Sequence, residues 1–410
     1  MNSNNSNQKT SRRNFIGKAG IGIAALTVAP SFTLAGEQVK PRKIHIGIIG
    51  GRFGAGFEFH EHPDCIVEAV SDLRPDRRKI LMDAYRCSKS YESLEKLILD
   101  PKIEAVFIAT PAPDHVRHVV AALNAGKHVL CAVPAAYTIE ECYKLKEAVN
   151  RTGLTYMMAE TSVYMQNTIS VRKFYKEGLF GNIFSAAAEY NHPGLDTLWF
   201  ENGKPTWRHG MPPLTYPTHC TSFLISVTGE RLTHVSGMGW GDNSPLLKNN
   251  PYNNPFWNGT AFFKTNKGNP FRVEVNWKGA LINTVRAEWR GDLMSFFSGY
   301  GEGVAEHKIV RAAEKIGSDD AGFKYKENTI ETYKQPMWWQ TDMLPEPLRH
   351  NSGHDGSHTF ITNEFIDSLI NNRRPLVDIK EALAYTAPGI VAHQSALKDG
   401  EYMSIPDFDN

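Results

Sequence analysis

The stretch IHIGIIGGRFGAG, residues 44–56, decides the fold of this chain. Its first six residues are almost all apolar, which is typical of a strand buried on both faces of a parallel sheet. Four glycines follow within the next seven residues. Glycines at the end of such a strand allow a tight turn and let backbone N–H groups approach a phosphate at the start of the next helix. The stretch therefore predicts a first helix after the turn and a nucleotide site at this end of the strand.

Four more apolar segments follow at spacings that leave room for helices between them. They are Ile66–Val70, Ala105–Ala109, His128–Cys131 and Thr155–Ala159. One intervening helix has clear ends, because Thr138 and Glu141 form a capping box before it and Gly153 stops it. Since crossovers between parallel strands are right-handed, this alternation predicts an α/β fold with a doubly wound (Rossmann) parallel sheet in the N-terminal part.

The pattern changes after Glu160, where alternating, aromatic-rich segments typical of antiparallel strands begin. They are Asn182–Tyr190, His234–Trp240, Thr260–Lys264, Arg272–Asn276 and Thr284–Arg290. Two helical segments, His358–Ile370 and Ile379–Lys398, close the chain. We therefore expect a nucleotide-binding domain over residues 37–160 and an α+β domain with a large, mainly antiparallel open sheet over residues 161–410. The last helices are free to pack back on the first domain.

The chain begins with a pattern that belongs to neither domain. Arg12 and Arg13 precede an apolar run over residues 19–29 and the small residues at 34–36. Paired arginines before a modest apolar segment are typical of a twin-arginine export signal. The run is too short to cross a bilayer as a helix, which argues against a membrane anchor. Residues 1–36 are therefore predicted to be a cleaved signal, and the mature chain to be periplasmic in a bacterium.

Bulk composition argues against several classes of function. The formal net charge is +1, so no excess of cations favours binding to nucleic acid or to an anionic membrane surface. The five cysteines are scattered, with no CxxC pair and no spacing typical of metal ligands. We expect no metal centre and mostly buried thiols, with a single disulfide left open in an oxidising compartment.

The glycine-rich turn is expected to hold the pyrophosphate of a dinucleotide. Its predicted cofactor contacts are Gly50, Gly51, Arg52, Phe53 and Gly54. Asp72 stands at the end of the second predicted strand, at the spacing of an acid that binds the ribose hydroxyls of adenosine. A carboxylate there repels a 2′-phosphate and favours NAD, whereas the nearby Arg74 leaves NADP as an alternative. A doubly wound domain without a nucleotide is the remaining structural alternative.

Two further motifs extend this pattern. The third strand runs into ATPAPDH at residues 109–115, and the fourth runs into GKHVLCAVP at residues 126–134. Together with the glycine turn, this layout resembles the Gfo/Idh/MocA family, the glucose–fructose oxidoreductase and inositol dehydrogenase group. The residues that the resemblance places along the nicotinamide half of the cofactor are Thr110, Pro111, His115 and Pro134. It also places Val133 where the family has a lysine that helps deprotonate the sugar hydroxyl, so ordinary alcohol oxidation needs another base here.

A second departure points to one branch of that family. Where the family has an Asp-x-Gly-x-His-x-x-Asp helix, this chain has TYPTHCTS at residues 215–222. With VPAA at residues 133–136, a glutamate after a Met-Met strand (Glu160) and a strand tyrosine (Tyr190), the chain resembles the NAD-dependent glycosidase branch, glycoside hydrolase family 109.

The resemblance to this branch implies catalytic roles for three residues. His219 would act on the O3 hydroxyl of a sugar, because the pKa of histidine lies near working pH. Tyr190 would act as a base near C2, provided that its pKa is depressed. Tyr216 and Glu160 would position sugar hydroxyls or the nicotinamide ribose, and Glu160 is counted among the cofactor contacts.

Four residues outside these motifs are candidates for contact with the substrate. They are Trp207, Arg208, His354 and His358. The two later histidines have the i, i+4 spacing of metal ligands, but Asp-Gly-Ser between them is a poor helix and no third ligand is apparent. We expect a glycine-rich substrate loop there instead. Structural roles also stay open: His219 as the brace of a helix start, Tyr190 as core packing and Glu160 as a cap or ion-pair residue.

Three functions are consistent with this sequence. The first is an exported NAD-dependent glycosidase that works by transient C3 oxidation, elimination, water addition and re-reduction. The second is a sugar oxidoreductase with non-exchanging NAD(P), which the valine at position 133 disfavours. The third is a non-catalytic sugar-binding protein on a degenerate dehydrogenase fold, which retention of Asp72, His219, Tyr190 and Tyr216 disfavours. A small-molecule sugar or glycoside is the expected partner, and the family resemblance implies a homodimer or homotetramer.

Overall fold

The computed structural model of the chain describes residues 42–300, 306–313, 315–319, 322–325 and 327–409. The predicted export signal lies outside the described residues. From Arg42 onward the chain packs as one unit. Among the described helices, none has the length and apolar character needed to cross a membrane. All five cysteines are described, and their thiols are free and buried. This confirms the prediction of mostly buried thiols.

The first sheet is parallel and has six strands. They are β1 (Ile44–Ile49), β2 (Cys65–Ser71), β3 (Ser90–Tyr91), β4 (Ala105–Ile108), β5 (His128–Cys131) and β6 (Tyr156–Met158). Their order is β3-β2-β1-β4-β5-β6, so the direction of winding reverses between β1 and β4. This arrangement confirms the predicted doubly wound sheet. The reversal places a binding crevice at the carboxyl ends of β1 and β4.

The α-helices of the described part largely follow the predicted pattern. They are α1 (Pro75–Ala84), α2 (Leu94–Leu97), α3 (His115–Asn124), α4 (Ile139–Thr152), α5 (Gln166–Lys176), α6 (Thr218–Thr228), α7 (Gly353–Ile370) and α8 (Ile379–Ala396). The α4 helix begins at the predicted capping box, where the Glu141 amide donates to Thr138 Oγ1 (3.1 Å) and the Thr138 amide donates to the Glu141 carboxylate (3.3 Å). It ends at Gly153, whose φ of 65° is left-handed.

The predicted helix after the glycine turn does not form. The chain instead makes two short 3₁₀ turns, Phe53–Gly56 and Phe59–Glu61, before β2. Repeated glycines and Pro63 disfavour a helix in this segment. The side chains of Phe57 and Phe59 are fully buried and fill the space that a helix would cover. The expectation of a helix N-terminus at the pyrophosphate is therefore wrong.

The second sheet has nine strands and is mainly antiparallel, as predicted. Its strands are β7 (Ile183–Asn191), β10 (Leu232–Trp240), β11 (Asn258–Thr265), β12 (Pro270–Asn276), β13 (Thr284–Gly291), β14 (Met294–Phe297), β15 (His307–Arg311), β18 (Thr329–Tyr333) and β19 (Met403–Ser404). Two small two-stranded pieces pair β8 (Phe200–Glu201) with β9 (Lys204–Pro205) and β16 (Lys315–Asp319) with β17 (Gly322–Tyr325). Only β7 and β12 pair in parallel among the described strands of this sheet.

The sequence period of two produces this second sheet. On β12, Phe271, Val273 and Val275 are buried, while the residues between them are partly exposed. Successive side chains of a strand point to opposite faces, so one face of the sheet packs on the core and the other meets solvent.

The last helices return to the first sheet. The Met158 amide, at the end of β6, donates to the Val377 carbonyl just before α8 (3.0 Å). The Ala135 amide donates to Thr386 Oγ1 on α8 (3.3 Å). These bonds cross the predicted domain boundary between residues 160 and 161, and they show that α8 packs on the first sheet. The domain boundaries themselves stay a prediction.

Candidate active site

Five segments meet along the edge where the strands of the first sheet end. Gly50 follows β1, Asp72 follows β2, Thr110 follows β4, Val133 follows β5 and Glu160 follows β6. Because carboxyl ends of parallel strands share one edge, the strand order places Asp72 at one end of a row and Glu160 at the other. The glycine turn lies between them.

The amides of Gly50 and Gly51 are used inside the turn. Gly50 donates to the Ser71 carbonyl (2.9 Å), and Gly51 donates to Asp72 Oδ2 (2.7 Å). The end of β2 takes these two amides in the structure, and contact of Gly50 and Gly51 with a cofactor stays a prediction. Donors to a phosphate at this turn would come from residues 52–54.

The first two glycines are required by close packing. Gly50 has a φ of +102°, and a Cβ there would lie 2.3 Å from the Ala109 carbonyl oxygen. A Cβ on Gly51 would lie 2.2 Å from the Arg77 carbonyl oxygen on α1. The turn thus packs closely between the end of β4 and α1. This packing leaves no room for a side chain at positions 50 and 51, which lie at the crevice.

The residues at the adenosine end of the row fit NAD. Arg74, which left NADP open, donates to Asp76 Oδ2 (2.7 Å) and to Glu201 Oε2 on β8 (2.8 Å). With two carboxylates around it, this guanidinium is not a free partner for a 2′-phosphate. The Asp72 carboxylate accepts one hydrogen bond at Oδ2 from the Gly51 amide and one at Oδ1 from the Arg74 backbone amide. Lone pairs therefore remain on both oxygens for ribose hydroxyls.

His115 braces two loops of the edge. Its Nδ1 lies 2.8 Å from the Pro134 carbonyl oxygen and its Nε2 lies 3.0 Å from the Thr110 carbonyl oxygen. The ring is buried, and burial lowers its pKa. A neutral ring carries one N–H, so His115 donates to only one of these two carbonyls while it lies against both loops, and its contact with the cofactor stays a prediction. Thr110 and Pro111 stay at the edge, with Thr110 Oγ1 bonded to His118 Nδ1 (2.8 Å).

A cavity of about 1080 Å³ lies beside the far end of this row. Its walls come from the segment after β6, from the second sheet and from the start of α7. Residues that line it include Thr161, Tyr190, His192, His219, Thr284 and His354. A space of this size accommodates a drug-sized ligand.

His219 is held in one orientation by Glu160. His219 lies in the first turn of α6, and its Nδ1 is 2.7 Å from Glu160 Oε1. Glu160 is fully buried and also accepts the Ser162 amide (3.0 Å). Burial alone would raise the pKa of Glu160, but the charge and hydrogen bond of His219, with the Ser162 amide, hold it below its usual range.

The carboxylate sets the chemistry of His219. Because Glu160 accepts from Nδ1–H, the basic nitrogen of the neutral ring is Nε2, which is left for the cavity. Glu160 is not among the residues that line the cavity, and its contact with the cofactor or sugar stays a prediction. It is a positioning residue for His219.

Tyr190 stands on β7 beside His219. The two ring centroids are 4.9 Å apart, and Trp277 packs edge-on at 5.6 Å. Burial raises the pKa of Tyr190 in the structure. The structure therefore does not show the depressed pKa expected of a base near C2. The charge of Arg208 acts in the opposite direction and lowers it.

Tyr216 links the valine motif to this aromatic group. Its ring stacks with Tyr190 at 6.4 Å, and its hydroxyl donates to the Val133 carbonyl at 3.5 Å. Burial raises the pKa of Tyr216 to about 12. The hydroxyl is therefore a hydrogen-bond donor at neutral pH, at the position where the valine motif meets the second sheet.

Trp207 and Arg208 form a stacked pair outside the cavity lining. The Arg208 guanidinium carbon lies 4.1 Å from the Trp207 ring centroid, and the Trp207 carbonyl accepts the Tyr252 hydroxyl. Burial lowers the pKa of Arg208, which has no carboxylate partner among the residues the structure describes. Trp207 anchors this loop, and contact of Arg208 with substrate stays a prediction.

Only one of the two later histidines meets the cavity. His354 lines it, whereas His358 stacks on Phe57, with ring centroids 4.1 Å apart and planes 7° apart. The predicted substrate role of His358 is therefore not supported, because its ring is buried behind His354. The expected loop is present: residues 354–356 have left-handed φ values of 53°, 56° and 77°.

Sequence reasoning missed His192 and Thr161. His192 follows Tyr190 by two positions, lies edge-on to it at 6.1 Å and lines the same cavity. Because side chains two apart on a strand share a face, this position could have been inferred from Tyr190. Thr161 lines the cavity just after Glu160, and nothing in its local sequence marks it.

These features define the class of protein. A doubly wound sheet with an acid after its second strand, joined to an open sheet whose cavity holds a carboxylate-backed histidine, is typical of nucleotide-dependent enzymes. Residues 44–160 match the Gfo/Idh/MocA model, described as an oxidoreductase family with an NAD-binding Rossmann fold. Residues 301–410 match the C-terminal domain of glycosyl hydrolase 109. The chain thus matches one model in its first part and the other in its last part, and it is an NAD-dependent, sugar-active enzyme, which confirms the predicted cofactor.

Relatives align along nearly the whole chain. A glycosyl hydrolase family 109 protein from Solibacter usitatus is 26% identical, over 98% of this chain and 97% of the relative. An alpha-N-acetylgalactosaminidase from Tannerella forsythia is 24% identical, over 98% of this chain and 97% of the relative.

Solved structures share the fold. A levoglucosan dehydrogenase in complex with NADH and levoglucosan superposes with a TM-score of 0.72 at 19% identity, over 89% of this chain and 100% of that one. A scyllo-inositol dehydrogenase from Lactobacillus casei with bound NAD(H) and scyllo-inositol gives a TM-score of 0.63 at 16% identity, over 88% and 99% of the two chains. At these identities the likeness shows the fold.

Proposed function

We propose that this enzyme hydrolyses a glycoside without net oxidation and keeps one NAD through each turnover. The observation that carries the proposal is Val133 in the position of the usual lysine, together with the His219–Glu160 pair at the cavity. Valine cannot move a proton, so simple alcohol oxidation lacks its usual base, while a second proton-transfer site has been assembled nearby. The names of the relatives support the same activity.

The residues of the cavity divide the proton transfers between them. Bound NAD would supply reversible hydride acceptance from a sugar carbon. His219 Nε2 takes the proton of the hydroxyl on that carbon, and the buried Glu160 carboxylate stabilises the resulting imidazolium. The ketone so formed acidifies the adjacent C2–H bond, which allows the C1 substituent to leave by elimination. Water then adds at C1, and the proton at C2 is restored. The ketone becomes a hydroxyl again when His219 returns its proton to the oxygen, as the hydride held by bound NAD would go back to the carbon.

Tyr190 is proposed to move the C2 proton. Its hydroxyl is protonated in the resting chain because burial raises its pKa. Arg208 is the cation of the chain whose charge lowers that pKa, and its guanidinium carries no carboxylate partner within the described residues. Arg208 therefore helps Tyr190 to give up its proton in the bound complex.

A panel of nitrophenyl glycosides without added redox acceptor tests this function. The expected result is release of nitrophenol, with deuterium from D₂O appearing at C2 of the product. Turnover that requires a second sugar or a dye as acceptor would instead establish a sugar oxidoreductase. Absence of NAD(H) from gently purified protein, measured by native mass spectrometry, would contradict both outcomes.

Export is proposed on the same chemical ground. A protein that leaves the cytoplasm folded, with one nicotinamide cofactor inside, needs a reaction that returns the cofactor to its starting state. The pair Arg12-Arg13 supports a twin-arginine signal over residues 1–36, followed by domains at 37–160 and 161–410. Replacing both arginines with lysine should retain the protein in the cytoplasm. An unprocessed N-terminus in the periplasm, or unchanged export of that variant, would contradict the assignment.

A homodimer or homotetramer is proposed from the open face of the second sheet. Met238 and Trp240 on β10 and Phe262 on β11 are 66%, 52% and 59% exposed. Adjacent apolar side chains of this size on a sheet face are typical of an interface. Light scattering should give at least twice the mass of one chain. A monomer at micromolar concentration would contradict the proposal.

A further inference from the structure

A hydrogen-bonded chain of three residues runs from the glycine turn to the cavity. His358 Nδ1 lies 2.6 Å from the Gly56 carbonyl oxygen, and His358 Nε2 lies 2.8 Å from His354 Nδ1. His354 lines the cavity, and its Nε2 takes no part in this chain. We refer to Gly56, His358 and His354 as the histidine relay.

The order of hydrogens in the histidine relay follows from its fixed end. A carbonyl oxygen only accepts hydrogen bonds, so His358 Nδ1 must carry a hydrogen. A neutral imidazole has one N–H, so His358 Nε2 is a lone pair and accepts from His354 Nδ1–H. By the same rule, His354 Nε2 is a lone pair, and it is the nitrogen available to the cavity.

Both rings of the histidine relay stay neutral near pH 7. Burial lowers the pKa of His358 to about 4. Burial, followed by the charges of His358 and His219, lowers the pKa of His354 to about 4, and Glu160 acts in the opposite direction. Phe53 packs edge-on to His354 at 5.8 Å, so the ring has an apolar neighbour on the side of the glycine turn.

The backbone is shaped to present this ring. His354 has a φ of 53°, a left-handed conformation that residues other than glycine seldom adopt. A Cβ at Gly353 would lie 2.4 Å from His358 Cε1, so the absence of a side chain there lets the His358 ring sit below the loop. The loop thus places the His358 ring against the His354 ring, and the His354 ring faces the cavity.

We infer that His354 Nε2 is a fixed hydrogen-bond acceptor that selects glycosides with a hydroxyl or amide N–H donor at the matching position. This inference rests on the proposed function, because it requires a sugar in the cavity. A hydroxyl or amide there gains a hydrogen bond to the ring. If fluorine or a methoxy group replaces that hydroxyl, its lone pairs face the lone pair of Nε2. If a hydrogen atom replaces the hydroxyl, as in a deoxy sugar, the lone pair of Nε2 is left without a donor.

Histidine ¹⁵N NMR of the full-length protein tests the acceptor state without any substrate. The His354 signals, assigned by loss in His354→Gly, should report a neutral ring with its hydrogen on Nδ1 from about pH 5.5 to pH 8. Glycine is chosen because it tolerates the left-handed backbone. His358→Leu should give a mixture of tautomers at His354, whereas His350→Gln, a histidine paired with Glu61 outside the cavity lining, should change nothing. A hydrogen on Nε2, or a charged ring at pH 7, overturns the inference.

Substrate analogues test whether the acceptor meets the sugar. The best nitrophenyl glycoside is compared with its deoxy and deoxyfluoro analogues at each non-reacting hydroxyl. At one position both changes should lower kcat/KM about 10²-fold or more in the wild type, because an acceptor cannot use fluorine. His354→Gly, with His354→Asn as a second variant, should remove most of that difference. Equal penalties in wild type and variants overturn the inference. If the wild type hydrolyses no glycoside, the proposed function is wrong, and the NMR result then decides the histidine relay by itself.

Discussion

His219 and His354 line the same cavity, but their supporting partners differ in charge. His219 Nδ1 is bonded to the buried carboxylate of Glu160. His354 Nδ1 is bonded to His358, and that chain ends on the neutral carbonyl of Gly56. A carboxylate compensates the charge of an imidazolium, whereas a carbonyl dipole does so only in part.

This difference assigns different tasks to the same residue type. The pKa of Glu160 is held below its usual range although burial opposes it, so His219 works beside a permanent negative charge. The pKa of His354 is lowered to about 4 by burial, so His354 stays neutral. The first histidine can take up and return a proton, and the second can only accept a hydrogen bond at neutral pH.

The largest effect is expected at His219. His219→Asn should lower kcat about 10²–10⁴-fold, because Nε2 is the base for the hydroxyl that is oxidised. The measurement is steady-state hydrolysis of a nitrophenyl glycoside, with thermal unfolding to verify the fold. His45→Gln, a surface histidine that pairs with Glu68, is the matched control. Turnover within a few-fold of wild type in His219→Asn would place the base elsewhere and remove the contrast with His354.

Tyr190→Phe is expected to cost about 10²-fold in kcat. The loss should fall on elimination, so the variant should incorporate little deuterium from D₂O at C2 while it still forms NADH with bound sugar. Tyr156→Phe is the control, since Tyr156 is a buried tyrosine on β6 of the first sheet, away from the cavity lining. Normal deuterium incorporation in Tyr190→Phe would assign the C2 proton to another group.

A smaller loss, about 10–10²-fold in kcat, is expected for Glu160→Gln, because an amide cannot compensate the imidazolium. The pH dependence of stability gives a second readout. The folded pKa of Glu160 is lowered, so its stabilising effect is complete above the unfolded value of about 4.3 and is lost as pH falls below it. In urea unfolding, the free energy difference between wild type and Glu160→Gln should therefore shrink from pH 7 to about pH 3. A constant difference would mean that the pKa of Glu160 is the same in the folded and the unfolded chain.

The first sheet could be predicted closely because its signals are local. Each buried strand is a short apolar run, and α4 carries both its capping box and its terminal glycine in the sequence. The helix after β1 was the exception, and its glycines and Pro63 already argued against it. The second sheet followed from the period of two, although the parallel pairing of β7 with β12 depends on contacts distant in sequence.

The site was harder to predict because its residues act through partners far away in the sequence. Glu160 and His219 are 59 positions apart, and Gly56 and His358 are 302 apart. The sequence marks each as a candidate but does not show that Glu160 lies behind His219. It also does not show that His358 lies behind His354. Those relations arise only when β6, α6 and α7 pack together.

The smallest effect is expected for His358→Phe, measured as stability against pH. Phenylalanine keeps the stacking on Phe57 but cannot bind a proton. Burial lowers the folded pKa of His358 to about 4, against about 6.5 in the unfolded chain. As pH falls from 6.5 to 4 the unfolded chain therefore binds the proton first, and the wild type loses about 2.6 kcal/mol of stability from this one group.

The variant should lose less stability than the wild type over that window, because it lacks the proton uptake. Urea unfolding at pH 7, 5.5 and 4 gives the two slopes, and any constant cost of the lost hydrogen bonds cancels between them. His234→Phe, which replaces a less buried histidine stacked on Tyr402, controls for the change of residue type. Parallel slopes for wild type and His358→Phe would show that the pKa of His358 is the same in the folded and the unfolded chain, so that the folded ring becomes charged below about pH 6.5. Below that pKa, His354 Nδ1 would accept from His358 rather than donate, its hydrogen would move to Nε2, and His354 would present a donor to the cavity instead of an acceptor.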